Sequence, residues 1–343
     1  MKTVVCSEPF TLNIEQRPRP RRGKGEVLIQ VNRVGICGTD YHIFAGNQPF
    51  LSYPRVMGHE LAGSIVEADA ASVFKPGQIV TINPYLACGQ CVACRKGKPN
   101  CCVGIRVLGV HADGGMAELI AVPEEALVEV DGLTLDQAAM VEFLSVGAHA
   151  VRRGKVQPAD RVLVVGAGPI GIAAAIFAKA EGGEVTLIDT SIERLQYARD
   201  HLGFDRVERV EGDIAERLGG QTGGEFFDVV FDATGSPHAI EAGFAYVAHG
   251  GTYVLISVVK GEIKFSDAEF HKREMQLVGS RNATAADFRR VISAIRDGMV
   301  PAAAMHTHSF LLEEAATQIP ELIANQSKVI KAIGRFSDGE FAP

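Results

Sequence analysis

Seven cysteines occur in this 343-residue chain, and five of them crowd between Cys88 and Cys102. Cys88-Gly-Gln-Cys91-Val-Ala-Cys94, followed by Cys102, has the spacing C-x2-C-x2-C-x7-C. Four thiolates in so short a lobe fit the tetrahedral all-cysteine set that holds a structural zinc. Gly89 and Gly97 permit tight turns, while Lys96 and Lys98 offset part of the thiolate charge. Cys101 competes with Cys102 for the last position. A disulfide framework is a poor account of an odd count packed into one stretch, and a chain this long can fold on its own core. The expected compartment is a reducing cytoplasm.

A second set is scattered. Cys37-Gly-Thr39-Asp-Tyr-His42 follows a strand-like run, Gly58-His59-Glu60-Leu-Ala-Gly63 precedes one, and Glu142 sits in Met140-Val-Glu-Phe-Leu144. Thiolate, imidazole and carboxylate together are the mix a catalytic zinc takes while leaving one position open. Each residue alone is more often a small buried hydrophobe or a satisfied polar group.

Gly166-Ala-Gly168-Pro169-Ile170-Gly171 directly follows the apolar run Arg161–Val165 and opens a helix-patterned stretch. In that context the first glycine makes a tight turn and the second admits a pyrophosphate. The third lets helix pack on strand, and the helix N-terminus offers N–H groups to the anion. Asp189 ends the next strand, where a carboxylate accepts both ribose hydroxyls and repels a 2′-phosphate, so NAD is expected rather than NADP. Arg194 either contacts the adenosine ribose or is a solvated helix residue. Thr234, in Asp232-Ala-Thr-Gly235, ends a later strand at the carboxyl edge where dinucleotides lie.

Two textures position these groups. Up to about residue 145, short β-like runs (Val27–Val34, Gly63–Glu67, Ile79–Ile82, Ala117–Val122) are broken by Gly, Pro, Asn and Asp, which predicts an antiparallel, barrel-like domain. From 149 to 283, strands Arg161–Val165, Glu184–Ile188, Asp228–Asp232 and Gly251–Ile256 alternate with helices Ile170–Glu181 and Ser191–His201. That alternation predicts an α/β domain with a doubly wound parallel sheet. Residues 284–343 hold a helix, Ala286–Asp297, and a closing strand, Val329–Ile333.

Lysine and arginine number 34 against 41 acidic residues, a net charge of −7, which argues against nucleic-acid or anionic-membrane partners. The basic run Arg17–Lys24 reads as an exposed turn before the strand Glu26–Val31. No stretch approaches the apolar length of a membrane helix, and Met1–Glu8 lacks a signal-peptide core.

In this order, Cys37-Gly-x-Asp40, Gly58-His-Glu60, the four-cysteine lobe and the strand-linked glycine loop resemble the zinc-dependent medium-chain dehydrogenases. That is the alcohol, polyol and threonine dehydrogenase family, and the likeness spans essentially the whole chain. It implies a GroES-like antiparallel β-barrel catalytic domain (1–148, with the zinc lobe at 86–104). A Rossmann NAD-binding domain (149–283) would be inserted into it, and 284–343 would complete it. It also implies a catalytic zinc held by Cys37, His59 and Glu60 or Glu142, a structural zinc on Cys88, Cys91, Cys94 and Cys102, and a proton relay through Thr39 and His42. Where alcohol dehydrogenases place a second cysteine, Glu142 appears here, as in the polyol and sugar dehydrogenase branch. A usual glycine is replaced around Asp69.

Closer likeness lies in Gly46–Arg55, His149–Arg153, Phe265–His271 and Gly279–Thr284, which resemble bacterial L-galactonate and L-gulonate 5-dehydrogenases. The resemblance implies a zinc- and NAD-dependent oxidation of a secondary alcohol in a sugar acid or polyol, and a homodimer or homotetramer. Arg55, Arg106 and Arg281 are candidates to face an aldonate carboxylate. A zinc-free reductase of the same fold, or a non-catalytic NAD-binding redox sensor with Cys6 and Cys101 as spare thiols, are the other readings. The joint presence of Cys37, His59 and Glu60 counts against the first.

Overall fold

The computed structural model describes residues 1–48 and 51–337. Pro49 and Phe50, within the Gly46–Arg55 stretch, lie outside the described residues. The chain divides into two compact units, one formed by Met1–Glu142 with Thr284–Pro343 and the other by Phe143–Ala283. The first division falls after Glu142, inside the helix Val141–Gly154.

In the first unit a seven-stranded sheet runs Leu127–Glu129, Ile79–Ile82, Glu60–Glu67, Glu26–Ile36, Lys331–Arg335 and His306–Leu311, with Leu119–Pro123 also paired to the long strand Glu26–Ile36. Apolar residues alternate through these strands, so Val27, Ile29, Val31, Ile65, Val80, Ile82 and Val122 close one core. The pairing is antiparallel except between His306–Leu311 and Lys331–Arg335, which run parallel. The C-terminal strand pairs with Val34–Ile36, so residues after 284 complete the sheet that carries Cys37.

The basic turn is clipped down by carboxylates: Arg19 pairs with Glu67, Arg22 with Asp69, and Gly25 N donates to Asp69 Oδ2 at 3.0 Å. Asp69 thus closes this turn.

The second unit is a six-stranded, all-parallel sheet in the order Val207–Arg209, Glu184–Asp189, Arg161–Val165, Phe227–Asp232, Val247–Leu255, Gln276–Gly279. Numbered along the chain this is 3-2-1-4-5-6, the doubly wound dinucleotide-binding order. Leu163, Val165, Ile188, Val230 and Tyr253 are buried beneath its helices, as expected for a parallel sheet covered on both faces. Among the described residues, no helix is long and apolar enough to cross a membrane.

Candidate active site and dinucleotide loop

The strand Glu26–Ile36 ends one residue before Cys37, which caps the short helix Gly38–Phe44. Gly58 and His59 immediately precede the strand Glu60–Glu67, whose Glu60 lies opposite Gly35. Neighbouring strand ends therefore bring the two motifs together. Their ligand atoms, Cys37 Sγ with one atom each of His59 and Glu60, all lie within 4.8 Å of one another. Gly35 is part of the construction: a Cβ there would meet Glu60 Oε2 at 2.2 Å, so no larger residue leaves room for that carboxylate.

Asp40 ties the two segments. It is fully buried, its Oδ2 accepts from Cys37 N at 2.9 Å, and its Oδ1 accepts from Gly58 N at 3.2 Å. The same Oδ1 stands 4.0 Å from His59 Nδ1. A carboxylate facing the second ring nitrogen is how metal-bound histidines are oriented. His59 is buried and its Nδ1 has no hydrogen-bond partner among the described residues.

The electrostatics match the donor set. Burial opposes a charge on His59, but Cys37, Asp40 and Glu142 outweigh it and hold its pKa well above the ordinary imidazole value. Burial pushes Glu142 up to about 7, against the pull of His59. A thiol, an imidazole and carboxylates so placed fit a bound divalent cation.

The two carboxylates differ in their partners. Both Glu60 oxygens accept from Lys331 Nζ, at 2.7 and 2.6 Å, and the ammonium also reaches Ile36 O at 3.1 Å. Glu142, at the start of its helix, accepts a hydrogen bond from the Tyr85 hydroxyl and lies close enough to His59 and Glu60 to feel their charge. It is not within the 4.8 Å group of Cys37, His59 and Glu60. Lys331 and Tyr85 are thus site residues that motif reading missed, while Asp40, part of the Cys37-Gly-x-Asp40 motif, has a role that its spacing alone does not show. Thr39 and His42 occupy positions i and i+3 of the helix Gly38–Phe44, on one face, with Thr39 half-buried and His42 exposed.

The other thiols form their own group. Cys88, Cys91, Cys94 and Cys102 bring their sulfurs within 4.8 Å of one another. Cys102 is buried whereas Cys101 is exposed, which separates the two competing neighbours. Backbone N–H groups, led by that of Cys94, pull the Cys91 thiol down to about 6, while burial pushes Cys94 up to about 12. Four sulfurs so placed fit a single tetrahedral dication.

In the parallel unit, Gly166 has φ 101°, a left-handed turn, and a Cβ on Gly171 would lie 1.8 Å from Gly166 O. At Gly168 a Cβ would meet only Arg194 Nη1, 3.8 Å away. A cradle with close backbone approach at its first and third glycines and room at its second fits a pyrophosphate. Pro169 and Ile170 open the helix Pro169–Ala180, so its N-terminus faces that space. Asp189 Oδ2 accepts from Ala167 N at 2.6 Å and its Oδ1 from Ser191 N at 2.8 Å, with Arg194 Nη1 3.9 Å away. The carboxylate is therefore fixed beside the glycine loop. Replacing Asp189 by Gly is expected to weaken NAD and shift the NAD-to-NADP ratio of kcat/KM toward NADP by about tenfold or more, the scale of one lost charged hydrogen bond. An unchanged ratio would remove Asp189 from the ribose site.

Thr234 donates its hydroxyl to Asp232, which is fully buried at the end of Phe227–Asp232. Burial raises Asp232 from 3.8 to about 6. The folded chain therefore binds this proton more tightly than the unfolded one, and stability falls as pH rises from about 4 to 6. Two pKa units correspond to about 3 kcal/mol. The Asp232→Asn variant, which cannot ionise, is expected to gain up to that amount relative to the parent between pH 4 and 7. Unfolding curves displaced equally at both pH values would contradict it.

Comparison with known proteins agrees with these features. Residues 23–132 match the alcohol dehydrogenase GroES-like domain and residues 169–297 the zinc-binding dehydrogenase family. Over 98% of this chain and 99% of the relative, it is 42% identical to L-galactonate-5-dehydrogenase of Escherichia coli K12. The chain belongs to the zinc-dependent alcohol and polyol dehydrogenases. A sorbitol dehydrogenase from Halalkalibacterium halodurans is 32% identical over 92% of this chain and 94% of its own. A structure described as a short-chain alcohol dehydrogenase of E. coli CFT073, solved with NADH, superposes with a TM-score of 0.92 at 29% identity, covering 98% of this chain and 99% of the other. This dehydrogenase uses zinc and NAD, and it joins a GroES-like domain to a Rossmann domain.

Of the candidate aldonate partners, Arg55 is committed on one side to Asp113 at 3.2 Å, and its buried Nε has no hydrogen-bond partner among the described residues. Arg106 and Arg281 are exposed, the first on the hairpin beside the cysteine lobe and the second in the parallel-sheet unit.

Proposed function

We propose that this dehydrogenase oxidises one secondary hydroxyl of an open-chain sugar acid to the ketone, with L-galactonate as the leading substrate. The observation that carries this reading is the 42% identity to an L-galactonate-5-dehydrogenase across nearly the full length of both chains. Sorbitol dehydrogenases at 30–32% identity make a neutral polyol the second reading.

Cys37, His59 and Glu60 would hold a catalytic zinc, which would supply Lewis acidity toward a substrate hydroxyl, and bound NAD would supply the hydride acceptor. Asp40 keeps the His59 ring in orientation, and Lys331 and Tyr85 restrain the two carboxylates. Thr39 accepts the hydroxyl proton and passes its own to His42. The exposed imidazole of His42 releases that proton to water, completing a general acid–base relay. Gly166, Gly168 and Gly171 admit the pyrophosphate, with Pro169 and Ile170 at the helix start. Asp189 and Arg194 would receive the adenosine ribose, and Thr234 would contact the ribose or the nicotinamide. Cys88, Cys91, Cys94 and Cys102 would hold the structural zinc.

The test is NAD reduction with L-galactonate, L-gulonate, sorbitol, threonine and ethanol under one set of conditions. A hexonate is expected to exceed sorbitol in kcat/KM by about tenfold or more, about 1.4 kcal/mol of discrimination. A preference for sorbitol would transfer the assignment to the polyol reading.

A further inference from the structure

We propose that Tyr85 is a positioning residue through which the four-thiol lobe sets the placement of Glu142. The proposal rests on the assignment of Cys37, His59 and Glu60 to the catalytic metal. The lobe is the connection of a two-stranded hairpin in which Tyr85 pairs with Val107 and Leu86 with Arg106. Its first and last thiol residues meet at the base of that connection, where Cys88 N donates to Cys102 Sγ at 3.2 Å. Leu108 N returns to Pro84 O at 3.1 Å, closing the hairpin on the residue before Tyr85.

Tyr85 itself is held on three sides. Its backbone N donates to Asn83 Oδ1 at 3.1 Å, its ring meets Phe288 edge-on at 6.5 Å between centroids, and its hydroxyl donates to Glu142 Oε1. That phenol is the hydrogen-bond partner of the Glu142 carboxylate among the described residues. A metal clamping Cys88 to Cys102 fixes the register of the hairpin, the hairpin fixes the Tyr85 hydroxyl, and the hydroxyl commits one oxygen of Glu142. The lobe then acts on the reaction as well as on stability, although none of its sulfurs is in the catalytic group.

Tyr85→Phe keeps the ring on Phe288 and removes only the hydroxyl. The experiment places cobalt at the catalytic site, keeps zinc in the lobe, and records metal content, visible absorption and steady-state kinetics. The expected result is about two metals per chain, as in the parent. The cobalt absorption bands shift, and kcat falls about tenfold with KM for NAD unchanged, the loss of one charged hydrogen bond. Cys94→Ser, which weakens the lobe, produces the same shift in the parent and no further shift in Tyr85→Phe, because coupled changes are not additive. Should Cys94→Ser fail to fold, Val107→Gly loosens the strand opposite Tyr85 and takes its place. Absorption and kcat unchanged in Tyr85→Phe overturn the positioning role, and additive shifts in the double variant overturn the link to the lobe. Loss of the catalytic cobalt binding in the parent itself would instead refute the metal assignment beneath it.

Discussion

Replacing Cys37 by serine is expected to lower kcat on the order of a thousandfold, the several kcal/mol that Lewis-acid activation of a hydroxyl supplies. A serine hydroxyl stays protonated at neutral pH and cannot replace the thiolate that completes the trio with His59 and Glu60, all within 4.8 Å. Metal content is expected to fall by about one zinc per chain, because the lobe sulfurs of Cys88, Cys91, Cys94 and Cys102 form a separate group. The fold survives, since Cys37 lies at a strand end and is only half-buried. Metal analysis and turnover on one preparation check both statements. Full turnover by the variant would remove Cys37 from the reaction.

Lys331→Met is expected to have the largest effect on stability. Lys331 and Glu60 are both buried, and the ammonium lies 2.6 and 2.7 Å from the two carboxylate oxygens. Removing one member of such a pair leaves an uncompensated buried charge and costs about 3–5 kcal/mol. The methionine is close to the lysine stem in volume, so the loss is of charge and not of packing. Two further outcomes separate this account from a general packing defect. The double variant Glu60→Gln/Lys331→Met recovers most of the stability, since neither charge remains. Zinc protects Lys331→Met more than the parent, because a cation beside Glu60 substitutes for the missing ammonium. Denaturant unfolding with and without chelator measures all three. A single variant as stable as the parent would show that Glu60 is neutralised by other means.

Both experiments concern contacts of very different legibility. The cysteine lobe and the glycine loop could be read because their ligands and turns are adjacent in sequence. The φ of Gly166 and the 1.8 Å approach at Gly171 show why those positions are glycine. The restraints on the carboxylates could not be read, since Lys331 and Glu60 are 271 residues apart and Tyr85 and Glu142 are 57 apart. A signal for Lys331 did exist. It stands between Val329-Ile330 and Ala332-Ile333, and a lysine within an apolar strand is rarely buried without a partner.

Strand edges were less visible. The closing strand spans Lys331–Arg335 where Val329–Ile333 was expected, and its parallel partner His306–Leu311 was not anticipated. His306-Thr-His-Ser carries polar residues at both alternate positions, so it gives no two-residue periodicity to read. The helix Val141–Gly154 was divided for a related reason. It joins two stretches, Met140–Leu144 and His149–Arg153, that carry no shared motif, and the division between units falls at its second residue.

The central claim is that a metal held by Cys37, His59 and Glu60 is required for oxidation of the substrate. The most direct measurement strips the enzyme with chelator, returns zinc in steps, and follows NADH formation from L-galactonate together with bound zinc. Activity is predicted to be absent in the stripped enzyme and to rise as the catalytic site fills, with Cys37→Ser remaining inactive throughout. Undiminished turnover in enzyme containing no measurable zinc would contradict the account.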